Sequence, residues 1–139
     1  MTRPRLIDTL NDAASSLCEA LDADACAISR VLGDVLLFVT DHAPPGHTLL
    51  NGQGYLVSEY PETKRTLETG QPRAVCVTDP EVDAAEERSL RDLGFAAVLL
   101  LPLDLQSERW GLVEVFRQTP RPFGAMEMRA AAVVLADLG

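Results

Sequence analysis

Apolar residues near the start of the chain recur at helical spacing in two adjacent stripes, Leu6, Leu10, Ala13 and Leu17 beside Ile7, Ala14, Cys18 and Leu21. The stretch from Arg3 to Leu21 therefore predicts an amphipathic helix with two surfaces to cover. One surface belongs against the domain's own sheet. The first stripe, spaced four, three and four apart, suits a second helix from the same chain or from another subunit. Residues 25–31 and 35–40, rich in Val, Leu and Phe, flank Gly33-Asp34 and predict a hairpin. The stretch 41–54 has prolines, glycines and both histidines but no period, which predicts a long loop.

The second half is punctuated more clearly. Pro61 suits the first turn of a helix running to Thr69, and Gly70 suits the left-handed position after it. Residues 73–77 predict a brief strand. Asp79-Pro80 predicts an N-cap and first helical position, with Glu81 and Asp83 at the positive end of a helix that Gly94 stops. The almost wholly apolar run 95–105 predicts a central strand covered on both faces. After a turn at 106–109, residues 110–117 return with Leu112, Glu114 and Phe116 alternating against Val113 and Val115. The last helix begins near Gly124, with Phe123 and Met128 as a hydrophobic staple and Glu127 at the third helical position. From Ala130 to Leu138 only Asp137 is polar, so cover is expected on all sides of this helix.

Composition narrows the function classes. The 139 residues suit one domain, residues 1–139, with a full hydrophobic core. A net charge of -9 and the absence of clustered Lys and Arg argue against nucleic acid as a partner. Cys18, Cys26 and Cys76 are widely spaced in apolar runs without a CxxC pair, the pattern of small core thiols in a reducing compartment. No signal-peptide core and no apolar run long enough to span a membrane are present, so the expectation is a cytoplasmic protein, or part of one, without a membrane partner.

Four stretches resemble one family in order and spacing. They are Leu21-Asp22-Ala23-Asp24-Ala25-Cys26-Ala27-Ile28-Ser29-Arg30, then Tyr60-Pro61-Glu62-Thr63 with Leu67, Gly70 and Pro72, then Leu93-Gly94-Phe95 through Leu101-Pro102-Leu103, and finally Gly111-Leu112-Val113-Glu114-Val115 with Phe123 and Glu127. Together they make the chain similar to GAF domains over nearly its whole length. The resemblance implies an α+β, profilin-like fold with a twisted antiparallel sheet of five or six strands. The terminal helices would cover one face, and the middle helices and long loop would arch over a ligand cavity on the other.

The chemistry within that frame is sparse. Cyclic-nucleotide-binding members carry an Asn-Lys…Phe…Asp-Glu signature, and this chain has no Asn-Lys pair. Tetrapyrrole-attaching members use a Cys, commonly beside a His, and no cysteine here has a histidine neighbour. Methionine-sulfoxide-reducing members need accessible low-pKa thiols, which cysteines in apolar runs do not supply. His42 and His47, near Asp41, match no compact metal-site spacing and suit an exposed loop. The acidic residues Asp79, Glu81, Asp83, Glu86 and Glu87 lack a calcium loop's glycine and ligand alternation, and are expected on a solvated helix face. No nucleophile and base stand together, and no glycine-rich phosphate loop follows a strand.

Glu114 is more informative. Strand alternation places it opposite Val113 and Val115, either reaching solvent at a sheet edge or lining the cavity. By resemblance, a cavity ligand would meet Ser29, Tyr55, Tyr60, Val98, Leu100, Glu114 and Phe116. The expected function is a regulatory small-molecule-binding signalling module without turnover, homodimeric through its terminal helices. Its ligand and any cofactor are unspecified by the sequence. The alternatives are a ligand-free dimerisation domain and a small thiol-dependent reductase of the methionine-sulfoxide type.

Overall fold

The computed structural model describes residues 5–45, 49 and 54–138. Its elements are α1 (Leu6–Leu21), β1 (Ala25–Leu32), β2 (Val35–His42), β3 (Gly54–Leu56), a 3-10 turn (Val57–Glu59), α2 (Pro61–Thr69), β4 (Arg73–Cys76), α3 (Ala84–Leu93), β5 (Ala97–Leu105), β6 (Glu108–Arg117) and α4 (Ala125–Ala136). The strands form one six-stranded sheet in the order β3-β2-β1-β6-β5-β4, antiparallel at every pairing.

Period-two alternation divides the sheet into two surfaces. Cys26 and Ile28 of β1, Leu99, Leu101 and Leu103 of β5, and Val113 and Val115 of β6 all join one core cluster with α1 and α4. Ala25 and Ala27, Val98 and Leu100, and Leu112 and Phe116 join a second cluster beneath α2 and α3. The almost wholly apolar run of β5 follows from this, since each of its two faces meets a different core. The strand is not central, however. β1 and β6 occupy the middle, and β5 lies one in from the edge strand β4.

The stripe on α1 expected to face a partner helix is already used within the chain. Leu10, Ala13 and Leu17 are buried together with Ala14, Cys18 and Leu21, so the two stripes merge into one broad inward face, leaving Leu6 half exposed. The last helix departs from expectation in the opposite sense. α4 packs on α1 through Ala131 and partly buried neighbours such as Met128 and Leu135. Met126 and Val133 are exposed at 74% and 71%, because a helix lying outermost on the sheet has only one covered side in a single chain.

Three turns differ from the sequence expectation. The loop expected across 41–54 contains the last residues of β2, and Gly54 opens the short strand β3. Only glycine fits there, because a Cβ would lie 1.9 Å from the Leu36 carbonyl oxygen. The helix expected at Asp79-Pro80 begins four residues later. Asp79 closes a local turn by accepting from the Glu81 N–H, while the Asp83 carboxylate caps α3 by accepting from the N–H groups of Ala85 and Glu86. The β5–β6 hairpin is tighter than the 106–109 turn expected, with Gln106 and Ser107 alone in the turn, both at positive φ.

Candidate functional site

The face away from α1 and α4 holds a cavity of about 500 Å³, bounded by the sheet, the segment from β3 to α2, and α3. Its position is fixed from several sides. Asp34, at the β1–β2 turn, accepts from both the N–H and the hydroxyl of Ser58, and its carbonyl accepts from the Val57 N–H. The 3-10 turn is thereby tied to the first hairpin. Asp41 accepts from the Leu49 N–H, bringing that residue back over the cavity. Pro61 pre-sets the first turn of α2, and Gly70 ends the helix at φ 71°.

Tyr55 on β3 and Glu114 on β6 meet across the cavity, the phenol donating to Glu114 Oε1 at 3.0 Å. Tyr60 lies edge-on to Tyr55 at 4.9 Å between ring centroids, and Phe38 lies 6.0 Å from Tyr55. Phe116, two residues beyond Glu114, stacks on Phe95 at 5.0 Å. Tyr55, Tyr60, Glu114 and Phe116, all expected from the sequence, thus line one cavity.

Ser29, Val98 and Leu100 are placed differently. They occupy the same face but lie outside the cavity wall, and Val98 and Leu100 are core residues beneath the middle helices. Ser29 pairs with Leu112 beside an irregularity in the β1–β2 register. It is fully buried, and its hydroxyl has no hydrogen-bond partner among the described residues. Gly111 permits this close packing, since a Cβ would fall 1.9 Å from the Ser29 carbonyl oxygen.

Glu86 was expected on a solvated helix face and instead turns inward. It is 6% exposed, lines the cavity, and leaves Oε1 without a partner among the described residues. Asp83 and Glu86 stand at the spacing of a capping box, which would send the Glu86 carboxylate back to its own helix start. It reaches across to the first turn of α2 instead, where the backbone N–H groups of Thr63 and Glu62 favour its charged form. The signal for its burial was the helical spacing of Val82, Glu86, Leu90 and Leu93, three apolar positions that the acidic composition of the segment outweighed.

Burial raises both carboxyls to a pKa of about 7. For Glu114, desolvation dominates, the Tyr55 hydrogen bond opposes it, and the charge of Glu86 adds to it. For Glu86, desolvation again dominates over the two backbone donors, with Asp83 and Glu62 adding repulsion. Glu114 retains some accessible surface although it lies deep in the molecule, because that surface faces the cavity. The Tyr55 phenol is pushed up by burial and by Glu114, which keeps it a donor.

The cysteines lie elsewhere. All three are buried and belong to the core cluster against α1 and α4. Burial raises Cys18 to about 11 and Cys26 well above its usual range. His42 is an exposed residue at the end of β2, and His47 lies outside the described residues. Among the described residues no group of three or more His, Cys, Asp or Glu side chains is arranged to hold a metal ion, and no helix is long and apolar enough to cross a membrane.

This architecture agrees with the comparisons to known proteins. The family model for the GAF domain matches residues 5–139, and the chain belongs to that family. No curated protein matches the sequence. Among solved structures, the fold is similar to the phycocyanobilin-bound GAF domain from a cyanobacterial phytochrome, with a TM-score of 0.81 and 16% identity, covering 97% of this chain and 82% of that one. It is also similar to the GAF domain of a two-component sensor histidine kinase from Bacillus halodurans, with a TM-score of 0.79 and 16% identity over 96% and 90% of the two chains. A GAF domain/HD domain protein from Geobacter sulfurreducens has a TM-score of 0.78 at 13% identity, over 99% and 92%.

Proposed function

We propose that this GAF domain is a sensory module of a signalling protein, which binds a small molecule in the cavity between the sheet and the middle helices without turning it over. The carrying observation is the Tyr55–Glu114 pair, a buried phenol and carboxyl facing a ligand-sized space with aromatic walls. Tyr55, Tyr60, Glu114 and Phe116 contact the ligand in this reading, and Ser29, Val98 and Leu100 pack beside that wall on the same face.

Transmission runs along β6. Glu114 and Phe116 touch the cavity, and the next residue, Arg117, is 3% exposed. Its guanidinium donates to the carbonyls of Leu21 and Asp22 at the end of α1 and of Arg121 and Pro122 before α4, and stacks over Phe123 at 4.0 Å. A displacement of β6 therefore reaches both terminal helices through one side chain. The terminal helices form the homodimer in this reading, through the exposed side of α4 in place of the Leu10–Leu17 stripe.

Covalent attachment of a tetrapyrrole and thiol-dependent reduction both need a cysteine at the cavity, and the three cysteines lie across the sheet from it. Chemical-shift mapping against a metabolite library tests the sensory reading. Shifts led by Tyr55, Tyr60 and Glu114 support it. Silence at those positions, with shifts confined to α1 and α4 on self-association, would favour a ligand-free dimerisation domain.

A further inference from the structure

Resting on the sensory reading, we propose that the cavity selects an organic cation, a protonated amine or amidinium held between Glu86 and Glu114 with its apolar body against Tyr55, Tyr60 and Phe116. Among the described residues the cavity wall carries four carboxylates, Glu59, Glu86, Asp92 and Glu114, against the single guanidinium of Arg88. Two of the four are drawn inside, one from α3 and one from β6, and neither forms an ion pair with a basic side chain among the described residues.

The hydrogen-bonding account points the same way. A carboxylate offers about four acceptor sites. Glu114 is met by one phenol, and Glu86 is met by the backbone at the start of α2 while its Oε1, nine-tenths buried, meets nothing among the described residues. An ammonium group supplies three donors and a charge to these oxygens, and the faces of Tyr60 and Phe116 supply the apolar and cation–π contacts such ligands prefer. An anionic ligand would meet like charges on both sides, with exposed Arg88 alone among the described lining residues to balance them.

Cation binding also displaces protons held on the two carboxyls. Near neutral pH both carboxyls are partly protonated, under the influence of Asp83 and Glu62 on Glu86 and of Tyr55 and Glu86 on Glu114. A bound cation favours their ionised forms, so binding releases protons and strengthens as pH rises through about 7.

Three probes of one shape test the proposal: tryptamine as cation, tryptophol as neutral alcohol and indole-3-acetate as anion. Titration calorimetry and amide shift mapping on the full chain are expected to give tryptamine an affinity roughly tenfold above tryptophol, with indole-3-acetate weakest. Glu86→Gln and Glu114→Gln should each weaken tryptamine roughly tenfold and weaken tryptophol by much less. Calorimetry in two buffers of different ionisation enthalpy should register proton release. Equal or tighter binding of tryptophol or indole-3-acetate with shifts at Tyr55 and Tyr60 would overturn the cation and leave the sensory reading standing. Loss of tryptophol binding in the Gln variants would assign these residues to packing and likewise overturn it. No cavity shift from any probe at roughly millimolar concentration removes the cation proposal. The same silence across the metabolite library removes the sensory reading as well.

Discussion

The two faces of this sheet are made from alternate residues of the same strands, yet they are different materials. On β6, Val113 and Val115 are fully buried among apolar neighbours from α1, while Glu114 between them faces a cavity and a phenol. On β1, Ile28 enters the helix-side core and Ser29 on the other face keeps a hydroxyl with no partner among the described residues. The helix face is a close-packed core in which each side chain contributes burial. The cavity face carries a cavity of about 500 Å³, two buried carboxyls and a hydroxyl without a partner among the described residues, features that lower stability.

The helix face is the more sensitive of the two to a buried charge. Leu17→Glu places a charge in a site with no water, and a loss of about 4 kcal/mol or more is expected, enough to unfold a domain of ordinary stability. Loss of near-ultraviolet circular dichroism and of dispersed amide resonances would register it. A folded Leu17→Glu monomer would instead mean that this stripe faces a partner.

Arg117→Met comes next, because it leaves the carbonyls of Leu21, Arg121 and Pro122 without the donor they share at the junction of the two faces, and that of Asp22 with Arg121 alone. A destabilisation of about 3 kcal/mol is expected in urea unfolding. Faster hydrogen exchange in α4 than in β5 should accompany it.

On the cavity face the sign reverses. Glu86 and Glu114 hold their protons to about pH 7 in the folded chain, against an ordinary value of 4.5. Below 4.5 both states are protonated and this contribution to stability is fully present. As pH rises from there through about 7, the unfolded chain releases protons that the folded chain keeps, so stability falls and then levels off. The fall is of order 3 kcal/mol per carboxyl at most. Glu114→Gln, which preserves an acceptor for Tyr55, is therefore expected to stabilise the ligand-free domain by roughly 1–2 kcal/mol at alkaline pH and to change little at acid pH. Unfolding curves at the two extremes check it.

The smallest effect belongs to the bare side of α4. Met126→Ser and Val133→Ser should alter the stability of a single chain by no more than about 0.5 kcal/mol. Sedimentation of the same variants bears on the proposed dimer. A wild-type dimer that becomes monomeric in them supports assembly through this face, and a dimer unaffected by them places the interface elsewhere.

The helix face was largely legible in the sequence, because period and apolarity agree there. The spacing in α1, the alternation around Glu114 and the double-sided β5 each follow from residue type and periodicity alone. The cavity face was legible where a polar residue interrupts an apolar pattern, as Glu114 does. It was obscured where long-range placement decides. Glu86 sits among Asp83, Glu87 and other acidic residues, and only the docking of α3 beside the start of α2 turns it inward. β3 is three residues long and owes its pairing to the contact between Gly54 and Leu36, which local propensity does not encode. The proline after Asp79 signalled a helix start convincingly, yet the Asp83 carboxylate four residues on completes the cap.

The most direct measurement of the difference between the faces is a carbon-detected NMR titration of the Glu side-chain carboxyls in the ligand-free domain. Glu86 and Glu114 are expected to titrate near 7 and to fall together when tryptamine is bound. If Glu86 and Glu114 titrate near the ordinary value of 4.5, the cavity face is as well solvated as the protein surface, and the two faces do not differ in this way.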